Sequence, residues 1–568
     1  MRSQTDANLR ADDDVLLGDG WHLSAEQVRG RRGRKGRVVR ADEPPKAALG
    51  RWRWLRVALL LPLLALLWSA GPARAGPADP VWLDATGGPN ATARDALRLL
   101  ADAGADGLAP RDYQAAELAE QAAALATPAG AAASRRPAFE RDLEAAMRRY
   151  LHDLHLGRIN PSTLGFRVVP PGTAVPDFAA LLQVATAAGR LPQVAAELRP
   201  QFGQYAKLRE ALARYRALAA DGSLGQLLVA APVKRGETYL GSAALHRLLV
   251  ALGDLPADAP PSTNREDAML TEGVRRFQNR HGLAADGVIG RATLAALNVP
   301  LAHRVQQLEL TLERLRWLPD LGARPFVGIN IPMFRLWAWD PAAPASASIS
   351  MGVVVGRALN TETPVLSAEM RYLIFRPYWN VPRSILRNEV LPTLARDPGY
   401  LQRNDMEIVR GAGDDAQAVA ASNENLAVLR QGGLRLRQGP GPKNSLGLVK
   451  FIFPNDANVY LHDTPAAQLF GRARRDFSHG CVRVEDPVAL AHWVLKDQPR
   501  WTREHIRTAM AGTSSRRVDL TQPLPVILFY MTAMVMPADQ ALHFADDIYG
   551  HDTRLARALA ARRVVTAF

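Results

Sequence analysis

Tyr460-Leu461-His462-Asp463-Thr464, followed after a spacer by Ser478-His479-Gly480-Cys481-Val482-Arg483-Val484, is the stretch on which this sequence turns. Cys481 is the one cysteine of the 568 residues, so no internal disulfide can form. A lone thiol has two readings. It is either a small buried hydrophobe or a group kept for its chemistry. The neighbours favour chemistry. A thiol becomes a strong nucleophile only as a thiolate, and free cysteine titrates near about 8.5. A histidine within hydrogen-bond reach, such as His462, can take that proton, and a third group must orient the imidazole. Gly480 permits a tight turn that presents the sulfur. The amides of Gly480 and Cys481 are then candidate donors for an oxyanion hole. Arg483 offers the planar fork that binds carboxylates in bidentate fashion.

Strand-forming sequence surrounds this stretch. Residues 326–331 and 333–339 are rich in β-formers and separated by Pro332; 349–355, 370–375, 448–453 and 458–461 are further strands, and 526–534 reads as the last. Residues 384–445 interrupt them with helical and loop sequence, an insertion long enough to act as a lid. The run 546–552 reads as a surface turn, and 553–568 as a C-terminal tail.

Toward the N-terminus the pattern becomes helical. Residues 80–240 are alanine-rich, and Phe139, Leu143, Met147, Tyr150, Leu151 and Leu154 recur on one helix face. His152 and His155 could share a helix face and hold a metal, but a structural helix end closed by Gly157 is the preferred reading, and no metal site is assigned. Residues 241–298 read as three short helices with turns at His281-Gly282 and Asp286-Gly287, and 301–324 as a helix linking domains. The fold class is therefore multidomain α+β: a helical scaffold, a small three-helix module and a mainly-β domain (325–552) with a helical lid insertion.

Arg51, Arg53 and Arg56 precede an apolar run at 57–68, and Ala73-Arg74-Ala75 offers small residues for cleavage. That order is a secretory signal or an uncleaved anchor within a leader spanning 1–75, and it puts the body outside the cytoplasm. The run is shorter than the roughly 20 residues a spanning helix needs. Net charge is +14 and pI about 10.2, which suits an anionic wall polymer, a membrane surface or nucleic acid without choosing among them.

His462, the spacer and Ser478-His479-Gly480-Cys481-x-Arg483 closely resemble the signature of the L,D-transpeptidase catalytic domain. The runs Arg376-Pro377-Tyr378-Trp379-Asn380 and Pro440-Gly441-Pro442-Lys443-Asn444 resemble the family's large branch with a capping subdomain. Val274-Arg275-Arg276-Phe277-Gln278 and Asp286-Gly287-Val288-Ile289-Gly290 resemble the peptidoglycan-binding domain type 1. The resemblance implies Cys481 as nucleophile, His462 as general base, the backbone carbonyl of Asp463 as orienting group (its carboxylate being a second candidate), and His479 and Gly480 as shapers of the nucleophile turn. It also implies substrate contacts from Arg483, Ser478, Tyr460 and Trp379. Glu485 and Asp486 depart from the family's usual asparagine. The implied reaction joins peptide stems of peptidoglycan in the periplasm without metal or organic cofactor, with peptidoglycan and other wall-synthesis enzymes as partners, no nucleic acid, and membrane contact only through the leader. A wall peptide hydrolase and a non-catalytic wall-binding scaffold are the competing readings.

Overall fold

The computed structural model describes residues 82–126, 134–168, 175–227, 232–260, 267–319, 321–322, 324–343, 348–358, 361–413 and 415–565. The leader and its apolar run at 57–68 lie outside these residues. The strands, in chain order, are β1 (Phe326–Asn330), β2 (Arg335–Trp339), β3 (Ile349–Gly356), β4 (Leu366–Phe375), β5 (Trp379–Asn380), β6 (Met406–Arg410), β7 (Gln417–Val419), β8 (Arg435–Gln438), β9 (Val449–Ile452), β10 (Leu461–His462), β11 (Asp476–Ser478), β12 (Val482–Val484), β13 (Arg516–Phe529), β14 (Ala533–Val535) and β15 (Leu542–Phe544).

Nine of them form one sheet in the order β11-β3-β12-β10-β9-β4-β13-β1-β2, and a further β2–β3 pairing closes eight into a ring. Three pairs are parallel: β1 with β13, β10 with β12, and β11 with β3. Val327, Ile329, Leu336, Val353, Leu373, Phe451, Leu461, Val482 and Leu528 point inward and are buried in one core. Successive side chains of a strand alternate between faces, so filling the interior with these residues pushes their neighbours to the other face. The last core strand is 14 residues long rather than a short segment at 526–534, and a register shift between Asp519 and Leu524 accommodates Pro523.

The insertion at 384–445 carries helices, as its sequence suggests, but also the strands β6, β7 and β8, which with β5 just before it form a four-stranded sheet, β5-β8-β6-β7. The helix Asn423–Gln431 starts at a Ser422 cap and ends at a left-handed Gly432.

The segment expected to be a helix linking domains is a helix, Leu301–Leu315, and most of it is buried. Its Leu310 joins the sheet core, while Leu308, Leu312 and Leu315 join the core of the three-helix module. Its Glu313 is fully buried because donors surround it. It accepts from the Arg158 guanidinium at 3.1 Å, the Ile159 amide at 3.1 Å and Arg316 at 3.1 Å. The module's helices Ser242–Leu252, Ala268–Arg280 and Arg291–Leu297 share their core with the helix Gly203–Ala220, which the sequence assigned to the scaffold, and with Phe544 of β15.

The expected C-terminal tail is likewise a helix, His551–Val565, whose Leu555 and Leu559 enter the sheet core. Its Arg562 reaches both oxygens of Asp153 in the scaffold at 2.9 Å. The scaffold helix Arg136–Leu156 does end at Gly157. There His152 meets Asp153 and His155 meets the Leu198 carbonyl.

Candidate active site

The parallel β10–β12 pair sets Leu461 opposite Val482 and His462 opposite Arg483. The Val482 amide donates to the Tyr460 carbonyl at 3.1 Å, which carries the register one step back and sets Tyr460 beside Cys481. With Leu461 and Val482 fully buried in the core, alternation sends Tyr460, His462, Cys481 and Arg483 to the opposite face. Register extends that row sideways, with Lys450 of β9 facing His462 and Val354 of β3 facing Arg483. Two short segments thus deliver four functional groups to one patch, with Lys450, to which the sequence reading gave no role at the site, as a neighbour.

The His462 ring is buried, and its Nδ1 meets the Asp463 carbonyl at 2.5 Å. That carbonyl can only accept, so Nδ1 carries the proton and Nε2 keeps its lone pair. The Asp463 carboxylate faces elsewhere: it accepts from the Leu448 amide at 2.8 Å and the Thr464 amide at 2.7 Å. It braces the start of β9, so among the two candidate orienting groups only the carbonyl reaches the imidazole. Burial, then the charges of Arg483 and Lys450, push the imidazole down to about 3 against the carbonyl's opposing pull. Burial raises the Cys481 thiol, outweighing the Tyr460 backbone and hydroxyl and the charges of Arg483 and Lys450, which favour the thiolate. The resting pair is therefore neutral thiol and neutral imidazole. Among the described residues no hydrogen bond joins the His462 ring to the sulfur, which sits on the Tyr460 side. Such bonds often form only when substrate arrives.

Gly480 has φ of +110°, a conformation open to glycine and costly to other residues. Its amide does not serve as an oxyanion donor: it points to the Ser478 hydroxyl at 3.2 Å, and that hydroxyl donates to the Cys481 carbonyl at 2.5 Å. Ser478, which is buried, is thus an internal brace of the turn rather than a group facing substrate. The Cys481 amide has no acceptor among the described residues and remains the free donor beside the sulfur.

The Nε2 of His479 meets Glu389 of the capping insertion at 2.6 Å. Trp379 is buried at the root of the insertion's sheet, where β5 pairs with β8. Arg483 is half-buried, with no acidic partner among the described residues and no acceptor for its Nε. Burial and the nearby charge of Arg357 lower it to about 10. A cation left in this state is an open seat for an anion. Glu485 and Asp486 have local duties: Glu485 accepts from the Gly352 amide at 2.6 Å, and Asp486 caps the helix Pro487–Val494.

A histidine with a free ring nitrogen on the same face as a cysteine, an unused backbone donor and an unpaired guanidinium form the equipment of a cysteine acyl-transfer centre. Comparison with known proteins matches three domain models. Residues 325–513 match the L,D-transpeptidase catalytic domain, 242–297 a domain provisionally named as peptidoglycan binding, and 75–212 a scaffold domain. The chain carries an L,D-transpeptidase catalytic domain joined to a peptidoglycan-binding domain type 1 and a scaffold domain. A Haemophilus influenzae protein, provisionally named an L,D-transpeptidase, is 30% identical over 278 residues, which are 48% of this chain and 54% of that protein. The chain thus spans about half the length of that relative. Two solved structures align at TM-scores too low to bear on the fold. One is a fused Zn-dependent amidase/peptidase/peptidoglycan-binding protein from Clostridium acetobutylicum (12% identical, 52% of this chain, 99% of that chain, TM-score 0.15). The other is the Ldtfm–avibactam carbamoyl enzyme (11%, 57% of this chain, 98% of that chain, 0.16).

Three further groups at the centre escaped sequence reading. Glu389, Thr363 and Tyr549 lie far from Cys481 along the chain, and no local pattern marks them.

Proposed function

We propose that this protein is an exported L,D-transpeptidase that forms 3→3 cross-links in peptidoglycan through Cys481. One observation carries the reading: Tyr460, His462, Cys481 and Arg483 share one face of the β10–β12 pair inside an L,D-transpeptidase catalytic domain. As the donor stem arrives, His462 Nε2 takes the thiol proton. The sulfur attacks the carbonyl of the third stem residue, and the negative oxygen is met by the Cys481 amide. Collapse releases the terminal D-alanine, whose nitrogen takes the proton from the imidazolium, and leaves a thioester on Cys481. The side-chain amine of a second stem then attacks the thioester, gives up its proton to His462 and restores the thiol. Arg483 holds a carboxylate of the donor. The capping insertion excludes water, so that the amine wins over hydrolysis. No step calls for a metal or organic cofactor. The 241–298 module holds the enzyme at the wall, and the leader directs the chain to the periplasm.

The test is incubation with a tetrapeptide-stem muropeptide, with Cys481→Ala alongside and products read by mass spectrometry. A cross-linked dimer lighter than two substrates by one D-alanine, absent from the variant, supports the reading. Tripeptide alone, even with acceptor in excess, would replace it with a carboxypeptidase.

A further inference from the structure

The turn that carries Cys481 is held from behind by groups that the family signature does not contain. Thr363 is fully buried; its hydroxyl donates to the Gly480 carbonyl at 2.8 Å and accepts from the Gly356 amide at 2.8 Å. The Thr363 amide donates to the Tyr549 hydroxyl at 3.3 Å, and that hydroxyl donates to the Gly356 carbonyl. Tyr549 lies beyond the residues matched to the catalytic domain, in the turn that precedes the C-terminal helix. It is fixed in turn: its amide donates to the Tyr530 hydroxyl at 3.0 Å, which donates to Asp547 at 2.8 Å, and Asp547 accepts from the Asp552 amide at 3.1 Å. Gly356 lets the end of β3 lie against this segment, since a Cβ there would sit 1.9 Å from the Thr361 carbonyl. The arrangement is a chain of hydrogen bonds from the C-terminal helix to the peptide group just before the nucleophile.

That peptide group is planar and trans, so the Gly480 carbonyl and the Cys481 amide point in opposite directions within one rigid plate. Whatever fixes the carbonyl fixes the amide. With the carbonyl drawn inward to Thr363, the amide faces away from it, and it has no other acceptor among the described residues. We infer that Thr363, braced by Tyr549, is a positioning residue that aims the Cys481 amide at the oxyanion of the tetrahedral intermediate. The inference rests on the acyl-transfer reading above. It also gives the C-terminal segment a part in the chemistry: Tyr549 transmits the docking of that helix to the nucleophile turn.

The test separates oxyanion stabilisation from thiol reactivity. Acylation of Cys481 by a tetrapeptide stem forms an oxyanion, whereas alkylation by iodoacetamide is a displacement at carbon and forms none. Thr363→Val should slow single-turnover D-alanine release by about 10- to 100-fold, since removing a whole oxyanion donor costs about 10²–10³-fold and this one is only misaimed. KM should change little, and iodoacetamide alkylation should stay within about twofold. Thr363→Ser, which keeps the hydroxyl, should restore D-alanine release. Tyr549→Phe, which removes only one oxygen, should slow release several-fold with alkylation unchanged. Unchanged release in Thr363→Val and Tyr549→Phe, or release and alkylation falling in parallel, would overturn the inference. Wild-type protein that alkylates but never releases D-alanine would instead overturn the acyl-transfer reading, and this inference with it.

Discussion

The resting charge state of Cys481 and His462 can be tested by following thiol reactivity across pH. Two arrangements are open to such a pair. A preformed thiolate–imidazolium is nearly all thiolate at pH 7, and its alkylation rate is flat from about pH 4 to 8. The environment described above gives the neutral pair instead. Burial and the cations Arg483 and Lys450 hold His462 down to about 3, so the imidazole is uncharged throughout the working range. Burial also raises the thiol above its ordinary value. A thiol titrating at about 8.5 is about 3% thiolate at pH 7, and Cys481 lies below this. Its alkylation by iodoacetamide should therefore rise about tenfold per pH unit between pH 6 and 8, and at pH 7 should be at least about 30-fold below its high-pH limit. Only one thiol exists in the chain, so the label is unambiguous. His462→Gln should leave this profile within about threefold while abolishing D-alanine release, because the imidazole serves as a base only once substrate is bound. A plateau from pH 4 to 8, or a loss of plateau reactivity on His462→Gln, would refute the neutral resting pair.

Other substitutions probe the rest of the centre and the frame around it. Arg483 is desolvated without a partner, so Arg483→Met should leave the melting temperature unchanged or higher while lowering kcat/KM about 100-fold, and a clear loss of stability would show that the guanidinium is structurally paired. Glu389→Ala removes the contact between the insertion and His479; the ratio of hydrolysed to cross-linked product should rise about threefold, and an unchanged ratio would dissociate this contact from exclusion of water. Glu313→Gln removes the nearest counterion of the buried cations Arg158 and Arg316 and should cost about 3–5 kcal/mol in chemical denaturation; a change below about 1 kcal/mol would mean that neighbouring acids such as Asp112, 3.9 Å from Arg158, carry the charge balance.

The cores and connections of this chain divide clearly between what local sequence could give and what it could not. The chemistry of the centre was legible because its residues are rare types in close order: one cysteine, a glycine before it, an arginine two positions on and a histidine upstream. The strands were legible from their β-branched and aromatic residues, and the module's helices from apolar spacing, since both signals arise within a few residues. Pairing between distant segments leaves no such mark. Only the parallel β10–β12 register decides that Tyr460, His462, Cys481 and Arg483 share a face, and only the turn's own geometry commits the Gly480 amide to Ser478 and leaves the Cys481 amide free. The same limit explains the helix Leu301–Leu315 and the C-terminal helix, whose buried contacts the readings of linker helix and tail did not contain. A charged side chain is buried when a counterion meets it, as Arg158 meets Glu313 and Arg562 meets Asp153, and those partners stand more than 100 residues away. The sequence by itself determined which groups this protein has to react with; the tertiary structure decided which way each points, because direction is set by long-range pairing and by the cost of leaving a buried polar group unmet.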